Sequence, residues 1–113
     1  CGSSPIEARS NGCVFSLMDG HWIPEMCYDR ELDLEWSKKG WRFWEDKEGK
    51  RELTQETVWS GVLSSFWVTT DYHRGHCQKG LEQMGKRYMD GKPPPSYIFE
   101  AFHFPHCLGL MTR

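Results

Sequence analysis

Asp71-Tyr72-His73-Arg74-Gly75-His76-Cys77-Gln78-Lys79-Gly80-Leu81-Glu82-Gln83-Met84-Gly85-Lys86-Arg87-Tyr88-Met89 carries the clearest period in the chain. His73, Cys77, Leu81, Met84 and Tyr88 recur at steps of 4, 4, 3 and 4, which is one stripe on a helix of 3.6 residues per turn. The spacing predicts an α-helix over residues 71–89 with that stripe turned inward and Thr70 as its cap. Gly80, one turn after His76, would let a neighbour approach closely.

The first turns of this helix contain a phrase that occurs twice. His73-Arg74-Gly75-His76-Cys77 and His103-Phe104-Pro105-His106-Cys107 are both H-x-x-H-C, and they hold four of the chain's five histidines. Residues three and four apart share a helix face, so one such turn aims two imidazoles and a thiol the same way. Imidazole is the commonest protein ligand for zinc, copper, iron and nickel. Two such turns packed together would make a cage of His73, His76, His103 and His106. Pro105 lacks a backbone donor, so the second phrase either kinks its helix or begins a new turn there. A nitrogen-rich donor set without a carboxylate cluster suits copper or zinc better than magnesium or calcium.

Upstream, Phe66-Trp67-Val68-Thr69-Thr70 is rich in aromatic and β-branched residues and reads as a buried strand, whereas the rest of 55–69 has no clear period. Trp41-Arg42-Phe43-Trp44 alternates, Asp46-Lys47-Glu48-Gly49 is a turn, and residues 51–54 return, so the main hairpin is expected here. Asp29 caps a helix to about Lys39, with Leu32, Leu34 and Trp36 as its apolar positions and Gly40 as terminator. Residues 14–22 keep no single period and read as a loop with a short extended piece, and Pro24 forces Ile23 into an extended step. Ser4-Pro5-Ile6-Glu7 is a capping box and Asn11-Gly12 a stop, giving a helix over residues 5–10 bracketed by Cys1 and Cys13. Downstream, Asp90-Gly91-Lys92-Pro93-Pro94-Pro95-Ser96 is an extended loop before a last element over residues 97–104. The fold class expected is α+β: one small domain over 1–113, mainly helical with a short β-hairpin, stapled by disulfides, with a metal site between the two H-x-x-H-C turns.

Composition limits the function. The 113 residues carry a net charge of −2 with both signs mixed throughout, so no basic stripe argues for nucleic acid. No apolar run reaches the roughly 18 residues of a membrane helix. The chain opens at Cys1 without a methionine, so an upstream segment, lost to processing or trimming, is expected. Six tryptophans and six phenylalanines can hold a core in a short chain. Trp41 and Trp44 belong more readily to that core than to a substrate platform, and His21 reads as an ordinary partly buried histidine. Five cysteines favour an oxidising, secreted or lumenal compartment unless they ligate metal. Two bridges and one odd cysteine allow fifteen pairings, among which spacing does not choose.

Cys1-Gly2, Ser4-Pro5, Glu7-Ala8-Arg9, Gly12-Cys13-Val14-Phe15, Trp22, Pro24, Cys27 with Asp29, Glu31-Leu32, the tryptophan-rich stretch, Tyr72 before the first H-x-x-H-C, and the second H-x-x-H-C together resemble the UstYa-like fungal oxidases. Paired H-x-x-H-C motifs are the mark of that family, and the resemblance runs over nearly the whole chain. It implies a small lumenal domain behind an N-terminal membrane anchor, acting in fungal secondary-metabolite biosynthesis with copper as its metal. The implied chemistry is oxidative cyclisation of ribosomal peptides, or hydroxylation, desaturation or halogenation of other scaffolds. The substrate is then a peptide or a small-molecule metabolite, and a related chain could join as homo- or heterodimer partner. Carried onto this sequence, His73, His76, His103 and His106 are the metal-binding and catalytic residues, beside Cys77 and Cys107.

A thiolate beside a redox metal in an oxidising lumen is readily lost to oxidation. Cys77 and Cys107 are therefore expected in disulfides to Cys13 and Cys27, in one pairing or the other, with Cys1 as the odd cysteine; metal ligation by the two thiolates is the alternative. Zinc or iron stands beside copper as candidate metal. The competing function is a secreted binding module stapled by disulfides and a closed zinc site. A zinc hydrolase is disfavoured, since neither phrase carries the carboxylate of H-E-x-x-H.

Overall fold

The computed structural model describes residues 1–92 and Gly109, and the chain divides into two compact units, Cys1–Thr69 and Thr70–Arg113. The first unit opens with α1 (Pro5–Ser10), where the Ser4 hydroxyl accepts from the Glu7 N–H at 3.1 Å. The Glu7 carboxylate reaches one residue further back than in the usual capping box and accepts from the Ser3 N–H at 3.1 Å. The chain then turns, with Asn11 N–H donating to the Glu7 carbonyl at 3.0 Å and the Asn11 side chain donating to the Cys1 carbonyl at 3.1 Å.

That turn decides a disulfide. Cys1 and Cys13 come to rest with their Cα atoms 6.0 Å apart and are bonded. This corrects the expected clamp of Cys13 onto Cys77 or Cys107. A six-residue helix rises only about 9 Å, and the Asn11 contact folds its exit back onto its entry, so the nearest thiol to Cys13 is the local one. Cys27 and Cys77 are both buried.

Residues 13–24 form an antiparallel hairpin where a loop was expected. Strands β1 (Cys13–Ser16) and β2 (His21–Pro24) pair with Phe15 opposite Trp22 and Val14 opposite Ile23. The period is broken because the hairpin's own loop is buried: Leu17, Met18 and Asp19 are as enclosed as Phe15 and Ile23 of the strands. Alternation therefore has no polar half to display. Ile23 is extended within β2, as expected of the residue before Pro24, and the chain then enters a 3-10 turn, Glu25–Cys27.

Asp29 caps α2 (Arg30–Ser37), its carboxylate accepting from the Leu32 N–H at 3.1 Å. Trp36 is buried as expected, but Leu34 is 45% exposed, and the other enclosed position is Asp33. Strands β3 (Phe43–Trp44) and β4 (Glu52–Leu53) form the expected second hairpin. Its turn is held by Asp46, whose carboxylate accepts from the N–H groups of Lys50 and Arg51. Helix α3 (Gln55–Trp59), capped by Thr54, precedes β5 (Trp67–Val68), which pairs antiparallel to β3 and completes a sheet in the order β4-β3-β5. The strand at 66–70 is thus shorter than expected, and Trp67 is half exposed.

One corner ties distant parts of this unit together. The Trp22 indole N–H donates to the Gly61 carbonyl at 3.1 Å, the Arg9 guanidinium lies 5.3 Å from the Trp22 ring, and the same guanidinium donates to the Ser60 carbonyl at 2.9 Å. Phe43 and Phe66 meet edge to face at 5.6 Å, and Trp36 and Trp41 lie 4.9 Å apart.

The second unit is described through α4 (Thr70–Asp90), one residue longer at each end than expected. Its buried residues are Tyr72, Cys77, Gly80, Gln83 and Arg87, while Tyr88 is 86% exposed. The enclosed line therefore runs through Tyr72, His76, Gly80, Gln83 and Arg87, again at steps of 4, 4, 3 and 4 but one residue earlier than the expected stripe. One residue is about 100° of rotation. Cys77, at the centre of the expected stripe, is enclosed as well, and Leu81 packs against it. The expected stripe is the more apolar of the two, with Leu81, Met84 and Tyr88 against Gly80, Gln83 and Arg87, so composition does not select the enclosed line. No described helix is long and apolar enough to cross a membrane.

Candidate functional site

Helix α4 sets His73, His76 and Cys77 within one turn, with both imidazoles half-buried and the thiol enclosed. The Tyr72 and His76 rings, four residues apart, are parallel to within 4° at 6.3 Å between centroids. That stacking orients the His76 ring along the helix. By helical geometry His76 stands near the middle of the enclosed line and His73 at its edge, about 60° away. Two imidazoles on such an arc can serve one side of a metal ion.

The remaining donors lie elsewhere. His103, His106 and Cys107 fall outside the described residues, and with them the four-imidazole cage. Among the described residues, no group of three or more histidine, cysteine, aspartate or glutamate side chains could hold a metal ion. Cys13 is taken by Cys1.

His21 differs from the reading of it as partly buried: it is exposed at the start of β2. Its Nδ1 lies 2.8 Å from the Asp19 carbonyl, and since a carbonyl only accepts, Nδ1 carries the proton. Trp41 packs on Trp36 as a core ring, and Trp44 carries the Arg42 guanidinium 5.2 Å from its ring.

The strongest polar centre of the first unit escaped the sequence. Asp33, on α2 and almost wholly enclosed, accepts from the Met18 N–H at 2.8 Å, the Leu17 N–H at 3.1 Å and the Tyr28 hydroxyl at 2.8 Å. Burial pushes its carboxyl up from the ordinary value, aided by nearby Asp19 and opposed by the hydrogen bonds from Met18, Tyr28 and Leu17. The Tyr28 phenol is also pushed up, first by burial and then by its hydrogen bond to Asp33. Three donors fill the carboxylate, so Asp33 fastens the buried loop of the first hairpin to α2 rather than standing ready for acid–base chemistry. The signal that could have found it is the failure of Leu32, Leu34 and Trp36 to make a stripe, whereas Asp33 and Trp36 lie at i and i+3.

Comparison with protein-family models, curated proteins and solved structures finds no match.

Proposed function

We propose that this chain is a copper-dependent oxidase or cyclase of the UstYa-like kind, with His73, His76, His103 and His106 as its metal ligands. The observation that carries the reading is the placement of the first H-x-x-H-C in the opening turns of α4, where His73 and His76 are half-buried rather than fully exposed or sealed in a core. A ligand pair needs that intermediate condition, since the ring must be held yet still reach an ion. The second phrase of the same H-x-x-H-C form supplies the other two imidazoles in the proposed centre. The chemistry that bound copper supplies is one-electron redox exchange with dioxygen as the terminal oxidant. The chain's own part is to hold the imidazoles, orient His76 against Tyr72 and leave one coordination position open.

The compartment proposed is the secretory lumen or the exterior, which the Cys1–Cys13 disulfide supports on redox grounds. The substrate is a peptide or small metabolite. Metal analysis with electron paramagnetic resonance on freshly purified protein tests the reading. A copper(II) signal with nitrogen hyperfine splitting, lost in His76→Ala, is expected. Stoichiometric, silent zinc would replace the oxidase with a stapled binding module, for which the same disulfide is the supporting observation.

A further inference from the structure

Asn11 and Gly12 end α1, and each is required there for a separate reason. Gly12 follows the C-cap at φ +75°, a left-handed backbone that glycine enters without steric cost, and its N–H donates to the Arg9 carbonyl at 3.0 Å. Asn11 supplies the side-chain N–H that reaches the Cys1 carbonyl at 3.1 Å. Together the two requirements write Asn-Gly, the dipeptide in which an asparagine is chemically least secure. A glycine nitrogen that loses its proton can attack the Cγ of the preceding asparagine, because no side chain stands in its way. Ammonia leaves, a cyclic succinimide remains, and water opens it to aspartate or isoaspartate. Asn11 is the chain's only asparagine, and both it and Gly12 are exposed.

The fold holds both reacting groups back. The Gly12 N–H is committed to Arg9 and the Asn11 carboxamide to Cys1. Ring closure needs both released, since the nitrogen must give up its proton and the Cγ must turn toward it. The Cys1–Cys13 bond guards the second contact, because it ties the residue after Gly12 to the residue bearing the accepting carbonyl. With the bond cut, that carbonyl lies on a segment no longer fastened to Cys13.

We propose that Asn11-Gly12 is a latent modification site, closed while the Cys1–Cys13 disulfide stands and opened to deamidation when a thiol reductant cuts it. The thiol gives two electrons to the disulfide and is itself oxidised to a disulfide, after which the reaction consumes only water and releases ammonia. Conversion replaces the donating NH2 by a carboxylate, so two acceptors then face one another at Cys1. Isoaspartate also lengthens the backbone by a methylene. Either product removes the contact that folds the exit of α1 onto its entry, and the disulfide no longer re-forms in full. The change is a one-way record of a reducing episode.

The test incubates the full chain at mildly alkaline pH as the oxidised parent, as the double variant Cys1→Ser with Cys13→Ser, and as oxidised Asn11→Gln. Released ammonia and peptide mapping in acid report conversion at position 11, and tryptophan fluorescence reports the remaining fold. The parent is expected to deamidate at least about tenfold more slowly than the double variant, the factor for two hydrogen bonds that must open together. The double variant should keep its native fluorescence, since the Trp22 contact to Gly61 and the pairing of Phe43 with Phe66 lie outside α1. Asn11→Gln should release no ammonia over the same period. After reduction, ageing and reoxidation, Asn11→Gln should recover the Cys1–Cys13 bond while the parent recovers only a fraction of it. Equal rates in parent and double variant overturn the gate. Fast conversion accompanied by loss of native fluorescence also overturns it, because the trigger is then unfolding of the whole unit. Full recovery of the bond in aged, deamidated parent overturns the one-way record.

Discussion

Asp33 shows how one residue can hold an element that its own sequence does not specify. The hairpin loop at Leu17 and Met18 is buried, and its N–H groups donate to that carboxylate. Asp33→Ala removes the acceptor of two backbone donors and of the Tyr28 hydroxyl together, and is expected to destabilise by about 3 kcal/mol in urea unfolding. Asp33→Asn removes the buried charge but turns an NH2 toward a donor, so it should fall between the two. The pH dependence carries a definite sign. Burial raises the folded-state pKa above the unfolded value of about 3.9, so the native state binds the extra proton in the interval between them. Wild-type stability relative to Asp33→Asn should therefore increase as pH falls through the raised value and level off below the unfolded one. A difference that shrinks on acidification would contradict this. Gly61 is the other decisive single position, with φ +75° and a would-be Cβ only 2.4 Å from the Trp22 ring. Gly61→Ala is expected to cost on the order of 2–4 kcal/mol and to perturb tryptophan fluorescence.

Among the elements, α1 and α4 are specified in different ways. Helix α1 is too short to persist alone, and it is held by its cap, by the Asn11 contact and by the Cys1–Cys13 closure. Cys13→Ser, compared with the oxidised parent, should cost about 3 kcal/mol, the chain-entropy value for a loop of this size. Circular dichroism and urea midpoints would report it, and an unchanged midpoint would mean that the turn holds without the bond. Helix α4 spans 21 residues but carries Gly85 on an exposed position with nothing within 4 Å of a built Cβ. Gly85→Ala is expected to stabilise by about 1 kcal/mol, the helix-propensity difference, and to leave metal content unchanged.

For the molecule as a whole, cysteine parity and metal content are the informative measurements. The Cys1–Cys13 bond leaves Cys27, Cys77 and Cys107, an odd number, so a single chain can form at most one further bridge. Alkylation of unreduced, denatured protein followed by mass spectrometry should find Cys1 and Cys13 protected and at least one of the other three labelled in a monomer. Full protection would require a bond to a second chain. His76→Ala should abolish metal uptake with little loss of helix content, because alanine suits a helix and the first unit's disulfide and aromatic contacts lie outside α4. Loss of all structure in that variant would instead mark the metal as a folding staple.

What the sequence determined is local. The caps at Ser4, Asp29 and Thr54, the turn at Asp46 and the span of α4 each depend on chemistry reaching three to five residues, and the first, second, fourth and fifth of these were legible as written. Tertiary structure decided the rest. Phe15 finds Trp22 only across a buried loop, that loop is fixed by a carboxylate fifteen residues on, and α4 encloses Tyr72, Gly80 and Gln83 while leaving Tyr88 exposed. The candidate site divides the same way: the shared turn of His73, His76 and Cys77 follows from spacing, whereas the partner of Cys13 and the enclosure of Gln83 do not. Local periodicity does not fix which line of a helix is enclosed, and a thiol pairs with whichever neighbour the folded backbone brings within reach.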